Sequence, residues 1–442
     1  MLPTRYLIIF VFILLSNGPY AGSMESLKEK KLGNETLSAI WRSNIVIDDI
    51  EAQIYINKIG AKLAKISSNT YTPFKFFITR DPSVNAFASW DGIIGVNTGL
   101  LIFTDDESEL AGILAHEISH ITQKHLNRFL DKNASQNIYL IGGILASVLV
   151  NNPEASKAIL SSSIANNIQN QINFTREHEW EADRFASDIL IKSDFNPIAL
   201  ATFFQKMISS SDKNEFLRTH PLNINRVSDN LSRLEKHKKH VQNSDSYNFI
   251  KAKIHIDLNK KIIDSDNQDV IDYSKAYEKY VNGSFSDSKK YIDKLIEHSK
   301  SGHVFILAGR IYSELGDSKF NNFFEYAKNI GFKEEAIYYQ SKALKKSNKN
   351  NEAIMNLKLL LKTENGHALT HMLLANIYKD SNKTDRFQFQ EAESLVKQGR
   401  FAPALMFYEQ SKANTSDENL FQILTSKIRD LKQKINIYDQ VD

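Results

Sequence analysis

Apolar residues recur along most of this chain at steps of three and four, the spacing that lines one side of an α-helix. Between residues 24 and 70 the pattern is carried by positions such as Leu37, Ile40, Ile50, Ile54, Ile59 and Leu63. Two short stretches break it. Lys75 to Thr79 and Gly92 to Asn97 read as β-strands, bounded by Pro73, by Asp81-Pro82 and by Gly99. A helix is then expected from Thr104, with Leu110, Ile113, Leu114 and Ile121 on its apolar side. Thr104 followed by Glu107 reads as a capping box, and Asp105, Asp106, Glu107 and Glu109 place negative charge at the positive end of the helix dipole. Ala182, Phe185, Ala186, Ile189 and Leu190 mark a further helix. Ile138 to Val150 is an apolar run too short to span a bilayer and reads as a buried helix; residues 153–173, rich in Ala, Ser, Asn and Gln, read as an adaptable loop or loose helix.

The second half has its own rhythm. A polar link from Arg233 to Asn248, containing Lys236-His-Lys-Lys-His240, leads into an entirely helical region. Turn residues recur there at Gly283, Gly316, Asn348 and Asn382, separated by 33, 32 and 34 residues, close to the ~34-residue period of TPR helix pairs. Gly399-Arg-Phe-Ala-Pro-Ala404 with Tyr408 is the clearest single repeat, and Ile423 to Ile437 reads as a closing helix. Stacked repeats make an extended concave surface suited to polypeptide partners. The expected division is residues 1–23, 24–248 and 249–442, with catalysis in the second segment and binding in the third.

Composition narrows the picture. The 442 residues fit two or three domains at ~100–200 residues each. A formal charge of +3 with no basic stripe argues against a nucleic-acid partner. With no cysteine there is neither a disulfide framework nor a lipid-attachment site. Arg5, the apolar run Tyr6 to Leu15, Asn17-Gly18-Pro19 and the small residues Ala21 to Ser23 read as a cleavable signal peptide, cut after Ala21 or Ser23. The expected mature chain is exported and has no transmembrane span.

The chemistry centres on His116-Glu117-Ile118-Ser119-His120. Residues four apart on a helix share a face, so His116 and His120 can present two imidazoles to one zinc ion while Glu117 takes a proton from water. Farther on, Glu179 and Asp183 also lie one helical turn apart. A catalytic zinc takes three protein ligands and keeps one open position, so Glu179 can complete the set. Asp183 can either orient a histidine ligand through its second nitrogen or donate a proton to substrate.

The HExxH helix followed by Glu179-Trp-Glu-Ala-Asp183 resembles the M48 family of zinc metallopeptidases, as do Asn85-Ala86-Phe87-Ala88 and Asn97-Thr98-Gly99-Leu100-Leu101 before it. That resemblance implies His116, His120 and Glu179 as ligands of one zinc per chain, Glu117 as catalytic base and Asp183 as an auxiliary acid. Thr219-His220-Pro221-Leu222 with Arg226 resembles a motif of the family's periplasmic, TPR-bearing branch. There the equivalent of His220 belongs to a loop that can fill the open zinc position and hold the enzyme inactive, with Arg226 in support. Ser89-Trp90-Asp91-Gly92 stands where the family often has a Gly-Gly turn. In a zincin an edge strand beside the metal holds an extended peptide by β-augmentation, a role expected here of Ile93–Asn97. The implied fold is mostly α: a zincin-type α+β metallopeptidase domain followed by an α-solenoid of TPR repeats. The implied function is an exported zinc metalloendopeptidase in the periplasm, serving quality control and assembly of outer-membrane β-barrel proteins. Its expected partners are misfolded or stalled outer-membrane proteins and their assembly machinery, met through the TPR surface. The alternative is a TPR chaperone or assembly scaffold whose zinc site is mainly inhibited or structural.

Overall fold

The computed structural model describes residues 20–67, 73–132, 176–210, 216–258, 262, 265–362 and 367–440. Most of the expected signal peptide, the apolar run Ile138 to Val150 and the segment 153–173 lie outside the described residues. The catalytic part opens with α1 (Tyr20–Arg42) and α2 (Ile50–Ile66), followed by β1 (Lys75–Thr79), β2 (Ala86–Ser89), a 3-10 turn at Trp90–Gly92 and β3 (Ile93–Asn97). Helices α3 (Thr98–Phe103), α4 (Glu107–Thr122), α5 (His125–Lys132), α6 (Arg176–Lys192), α7 (Ala199–Ser209), α8 (Phe216–Thr219), α9 (Ile224–Leu234) and α10 (Asp245–Asp257) complete it.

The strands form one sheet in the order β1-β3-β2, with β3 parallel to β1 and antiparallel to β2. This corrects the expectation for Ile93–Asn97: the strand is central, paired on both sides, and cannot offer a free edge. Its five residues are all buried, as expected of a strand covered on both faces. The edge beside the metal helix is β2, which sequence periodicity missed because it is only four residues long. Gly95 of β3 lies opposite Phe87 of β2, and a Cβ there would come within 2.2 Å of the phenylalanine ring. The missing side chain makes room for the aromatic one.

The cap of α4 also differs from expectation. The helix starts at Glu107, and Asp106, not Thr104, caps it by accepting a hydrogen bond from the Glu109 N–H at 2.8 Å. The Glu109 carboxylate reaches back to the Asp105 N–H, so the box has moved two residues along. Thr104 is drawn away by tertiary contacts: its hydroxyl donates to the Leu101 carbonyl and pairs with the Tyr247 hydroxyl at 3.0 Å.

The remaining described chain is a succession of helix hairpins: α11 (Gln268–Val281), α12 (Phe285–Leu295), α13 (Gly302–Glu314), α14 (Phe320–Asn329), α15 (Lys333–Lys346), α16 (Asn350–Leu360), α17 (Ala368–Asp380), α18 (Thr384–Lys397), α19 (Phe401–Asn414) and α20 (Glu418–Asp439). Each helix packs on the next. Gly283, Gly316, Asn348 and Asn382 take left-handed φ values of 74°, 72°, 58° and 55°. After α11, the Ser284 N–H reaches the Lys279 carbonyl at 2.8 Å and the Gly283 N–H reaches Tyr280 at 3.0 Å, the paired bonds of a Schellman ending. The same pair of bonds closes the helices ahead of Gly316, Asn348 and Asn382, so the sequence period is a period of helix stops.

Two apolar cores meet along α2 and α10. Ile56, Ile94, Leu110, Leu114, Leu190 and Phe203 belong to the catalytic core, whereas Tyr273, Ile306, Ile311 and Leu357 belong to the solenoid core. From α10, Tyr247, Ile250 and Ile254 enter the first core, and Phe249, Ala252 and Ile256 enter the second. The division expected at 248/249 therefore falls inside a helix shared by both. Among the described residues no helix is long and apolar enough to cross a membrane.

Candidate metal centre

Two helices supply the centre. His116, Glu117 and His120 come from α4, where the four-residue spacing brings both imidazoles to one side; Glu179 and Asp183 come from α6, which packs against it. The loop after α8 adds His220, and α9 adds Arg226. All of these side chains are buried.

Their ligating atoms converge. His116 Nε2 lies 3.0 Å from His120 Nε2 and 3.5 Å from Glu179 Oε2, and His120 Nε2 lies 3.4 Å from Glu179 Oε1. His220 Nδ1 joins them at 3.3 Å from His116 Nε2 and 3.4 Å from Glu179 Oε2. One atom from each of these four residues lies within 4.8 Å of all the others. Both oxygens of Glu179 are buried without an aligned hydrogen bond, and Oε2 has the Arg226 guanidinium at 2.9 Å. Oε1 has only the His120 imidazole nearby, at 3.4 Å; a buried carboxylate this sparsely satisfied is costly, and a cation among two or three imidazoles would complete it. The donor set fits a metal.

Asp183 is engaged on every side. It lies 3.1 Å from His116 Nδ1, the nitrogen turned away from the cluster. Arg226 donates to both its oxygens at 2.8 Å, and Asn230 adds a third bond at 3.2 Å. Arg226 also donates to the Pro221 carbonyl and reaches Glu179 Oε2 at 2.9 Å, so one guanidinium ties the His220 loop to the metal helix pair. Glu117 faces His220, with 3.2 Å between Glu117 Oε1 and His220 Nε2.

The charges respond to this crowding. Burial acts to raise the carboxyl of Glu179, but His220, His116 and His120 hold it well below the usual range. Burial likewise opposes ionisation of Asp183, and Arg226 with His116 holds its carboxyl down. His120 is pushed well below the ordinary imidazole value by burial. His220 goes the other way, up to about 10, because Glu117 and Glu179 outweigh its burial.

Sequence reasoning missed His125. Its Nδ1 lies 2.8 Å from His120 Nδ1, and its Nε2 lies 3.2 Å from Glu181 Oε2, which Arg128 also grips at 2.7 Å. If His120 offers Nε2 to the metal, its Nδ1–H donates to His125 Nδ1, and His125 Nε2–H then donates to Glu181. That chain fixes one tautomer for each ring. The signal was hidden because His125 starts a new helix after a left-handed residue, Lys124 (φ 52°), outside the periodicity of α4.

The family model for Peptidase family M48 matches residues 51–234, the span from α2 to α9 that holds every member of the donor cluster. The beta-barrel assembly-enhancing protease of Escherichia coli (strain K12) is 30% identical over 333 residues, covering 71% of this chain and 68% of its own length. A Vibrio cholerae relative is 31% identical over 311 residues, covering 65% of this chain and 64% of its own, so the chain spans about two thirds of the length of these bacterial relatives. The mitochondrial metalloendopeptidase OMA1 of Schizosaccharomyces pombe is 24% identical over 181 residues, 39% of this chain and 50% of that one. The profile match and the extent of the bacterial alignments place the metal helix pair within a known line of descent: the chain belongs to peptidase family M48 and is a metallopeptidase.

Proposed function

We propose that the protein is an exported zinc-dependent metalloendopeptidase that acts in the periplasm on outer-membrane β-barrel proteins during their assembly and quality control. The observation that carries the catalytic part is the convergence of His116, His120, Glu179 and His220 around one point, with Glu117 beside it. The periplasmic setting rests on the signal-like segment at residues 1–23 and on the kind of bacterial protein that the chain resembles. The solenoid supports a role in holding polypeptide clients.

A zinc ion held by His116, His120 and Glu179, one per chain, would supply Lewis acidity to the scissile carbonyl and lower the pKa of water. Glu117 then takes the proton of the attacking water on its carboxylate and returns it to the leaving amine. Asp183 does not reach substrate in this reading. Its oxygens are committed to Arg226, Asn230 and His116, so it orients His116, the first of the two roles its spacing allowed, and the auxiliary-acid role is set aside. The edge of β2 presents backbone to an extended substrate. His220 fills the space between Glu117 and the ligands, which restrains the enzyme until its loop moves.

That same contact favours a second reading, a chaperone or scaffold held inactive by His220. One experiment separates them. In the full chain, Glu117→Gln should keep one zinc and lose peptide cleavage, while clients accumulate on it. Cleavage by that variant that is undiminished and insensitive to chelators would remove the proposed mechanism; a His220→Ala chain that keeps Glu117 and its metal yet stays inactive would favour the scaffold.

A further inference from the structure

A cavity of about 500 Å³ lies where the solenoid faces the catalytic part, and none of its lining residues belongs to the donor cluster. Its floor is apolar, made by Ile250, Ile254 and Leu258 with Ile47. Its solenoid wall is aromatic and cationic: Tyr277 from α11, Arg310 from α13, and Tyr339 and Lys342 from α15. This volume falls within the ~300–1,000 Å³ of typical ligand sites.

Most charges around it are already paired. Asp48 holds Arg80 at 2.8 Å, and Asp49 and Glu51 each hold Lys253 at 2.6 Å. Asp257 accepts a hydrogen bond from the Tyr277 hydroxyl at 3.0 Å. Arg310 and Lys342 are left over. The Arg310 guanidinium carbon lies 4.5 Å from the ring centre of Tyr339 and 4.6 Å from that of Tyr280, so its plane is held by cation–π contacts. Its nearest carboxylate oxygen, Glu51 Oε2, is 3.9 Å away and already bound to Lys253. Arg310 Nη1 is buried with no hydrogen-bond partner. Among the described residues the Lys342 ammonium makes no ion pair; it lies 5.9 Å from the ring centres of Tyr338 and Tyr339, with Asp48 and Asp49 acting on it at longer range.

A guanidinium held in place with an unmet N–H is costly, and its planar fork is shaped for a carboxylate. We propose that this cavity binds the carboxy-terminal end of a polypeptide, with its α-carboxylate on Arg310 and Lys342 and its last side chain on the α10 floor. The opposite wall favours a chain end over an acidic side chain or a polyanion. Asp48, Asp49 and Asp257 would repel further negative charge, and their oxygens accept the backbone N–H groups that precede a terminal carboxylate. An apolar last residue matches Ile250, Ile254 and Leu258. The site does not depend on peptide cleavage, since no ligand or base of the metal centre takes part.

The test uses the full chain carrying Glu117→Gln and a fluorescent hexapeptide ending in leucine. It is offered as the free acid, as the carboxy-terminal amide, and as an amide with an internal glutamate. The free acid should bind, and either amide should bind about tenfold more weakly or worse, the loss expected for a charge-assisted hydrogen-bonded pair. Arg310→Gln and Lys342→Gln should each weaken the free acid to a similar degree and leave the amides unchanged. Lys342 is exposed, so its replacement spares the fold even if that of Arg310 does not. Equal binding of the simple amide, or of the amide with internal glutamate, overturns the proposal. So does unchanged binding of the free acid by the Lys342 variant together with a folded Arg310 variant.

Discussion

Single residues decide what the metal centre does. His220 touches both the base and the ligands, with Nε2 on Glu117 and Nδ1 on Glu179. If it restrains the enzyme, His220→Ala should retain the metal and cleave a casein-like substrate faster. Turnover at matched zinc occupancy is the measurement, and a fall of ~10²–10³-fold, the size of a lost transition-state contact, would put His220 among the catalytic groups instead. His125 supports the site from behind. Replacing it with leucine breaks the chain from His120 to Glu181 and should weaken zinc binding by ~10–100-fold, measured by chelator competition, whereas glutamine should recover part of the loss. The candidate donors could be picked out in sequence because α4 and α6 each place two of them, His116 with His120 and Glu179 with Asp183, one turn apart. His125, Glu181 and Asn230 were not, because they reach the centre through contacts between elements and follow no period.

At the level of elements, the legible features were those with a local cause. Gly283, Gly316, Asn348 and Asn382 mark the repeats because each ends a helix in a conformation that glycine and asparagine tolerate best. Gly283 has open space around the position of a Cβ, so Gly283→Ala should cost only the backbone strain of a left-handed alanine, ~1 kcal/mol. Chemical denaturation of the two proteins checks this; no loss would mean that the hairpin end relaxes. The misread elements had non-local causes. Ile93–Asn97 is central because β2 folds back onto it, and the short Ala86–Ser89 carries too few positions to show alternation. The cap of α4 moved to Asp106 because Tyr247, remote in sequence, captures the Thr104 hydroxyl.

Across the whole molecule, the two parts are joined by buried charge as well as by α10. Glu51 of α2 accepts from Lys253 at 2.6 Å and lies 2.6 Å from His303 Nδ1 of the solenoid. Burial works to raise its carboxyl, but Lys253, His303 and Arg310 overcome it and leave the group well below the usual carboxylate range. A carboxyl depressed on folding contributes stability that is fully present above its unfolded pKa and is lost as pH falls through the folded one. Glu51→Gln should therefore cost ~1–3 kcal/mol near neutral pH, by taking the carboxylate away from His303 and leaving Lys253 with Asp49 alone, and the gap from wild type should narrow only below about pH 4.5. Denaturant titrations from pH 3 to 7 measure it; a gap independent of pH would assign the loss to packing. None of this junction could be read from sequence, because Glu51 lies 202 residues from Lys253 and 252 from His303, and the three share no motif.

The far end of the solenoid returns to the start of the fold. The Asn34 side-chain amide of α1 donates to the Gly399 carbonyl at 2.8 Å, and α20 touches α1. Mechanically, the solenoid is a spring clamped at both ends rather than a free coil. The clamp at α2 and α10 is broad and ionic, while the clasp at Gly399 is narrow: a Cβ there would press within 2.8 Å of the Asn34 carbonyl oxygen. Of the two attachments, the clasp therefore has less to lose if the coil is pulled outward about the joint that α10 keeps closed.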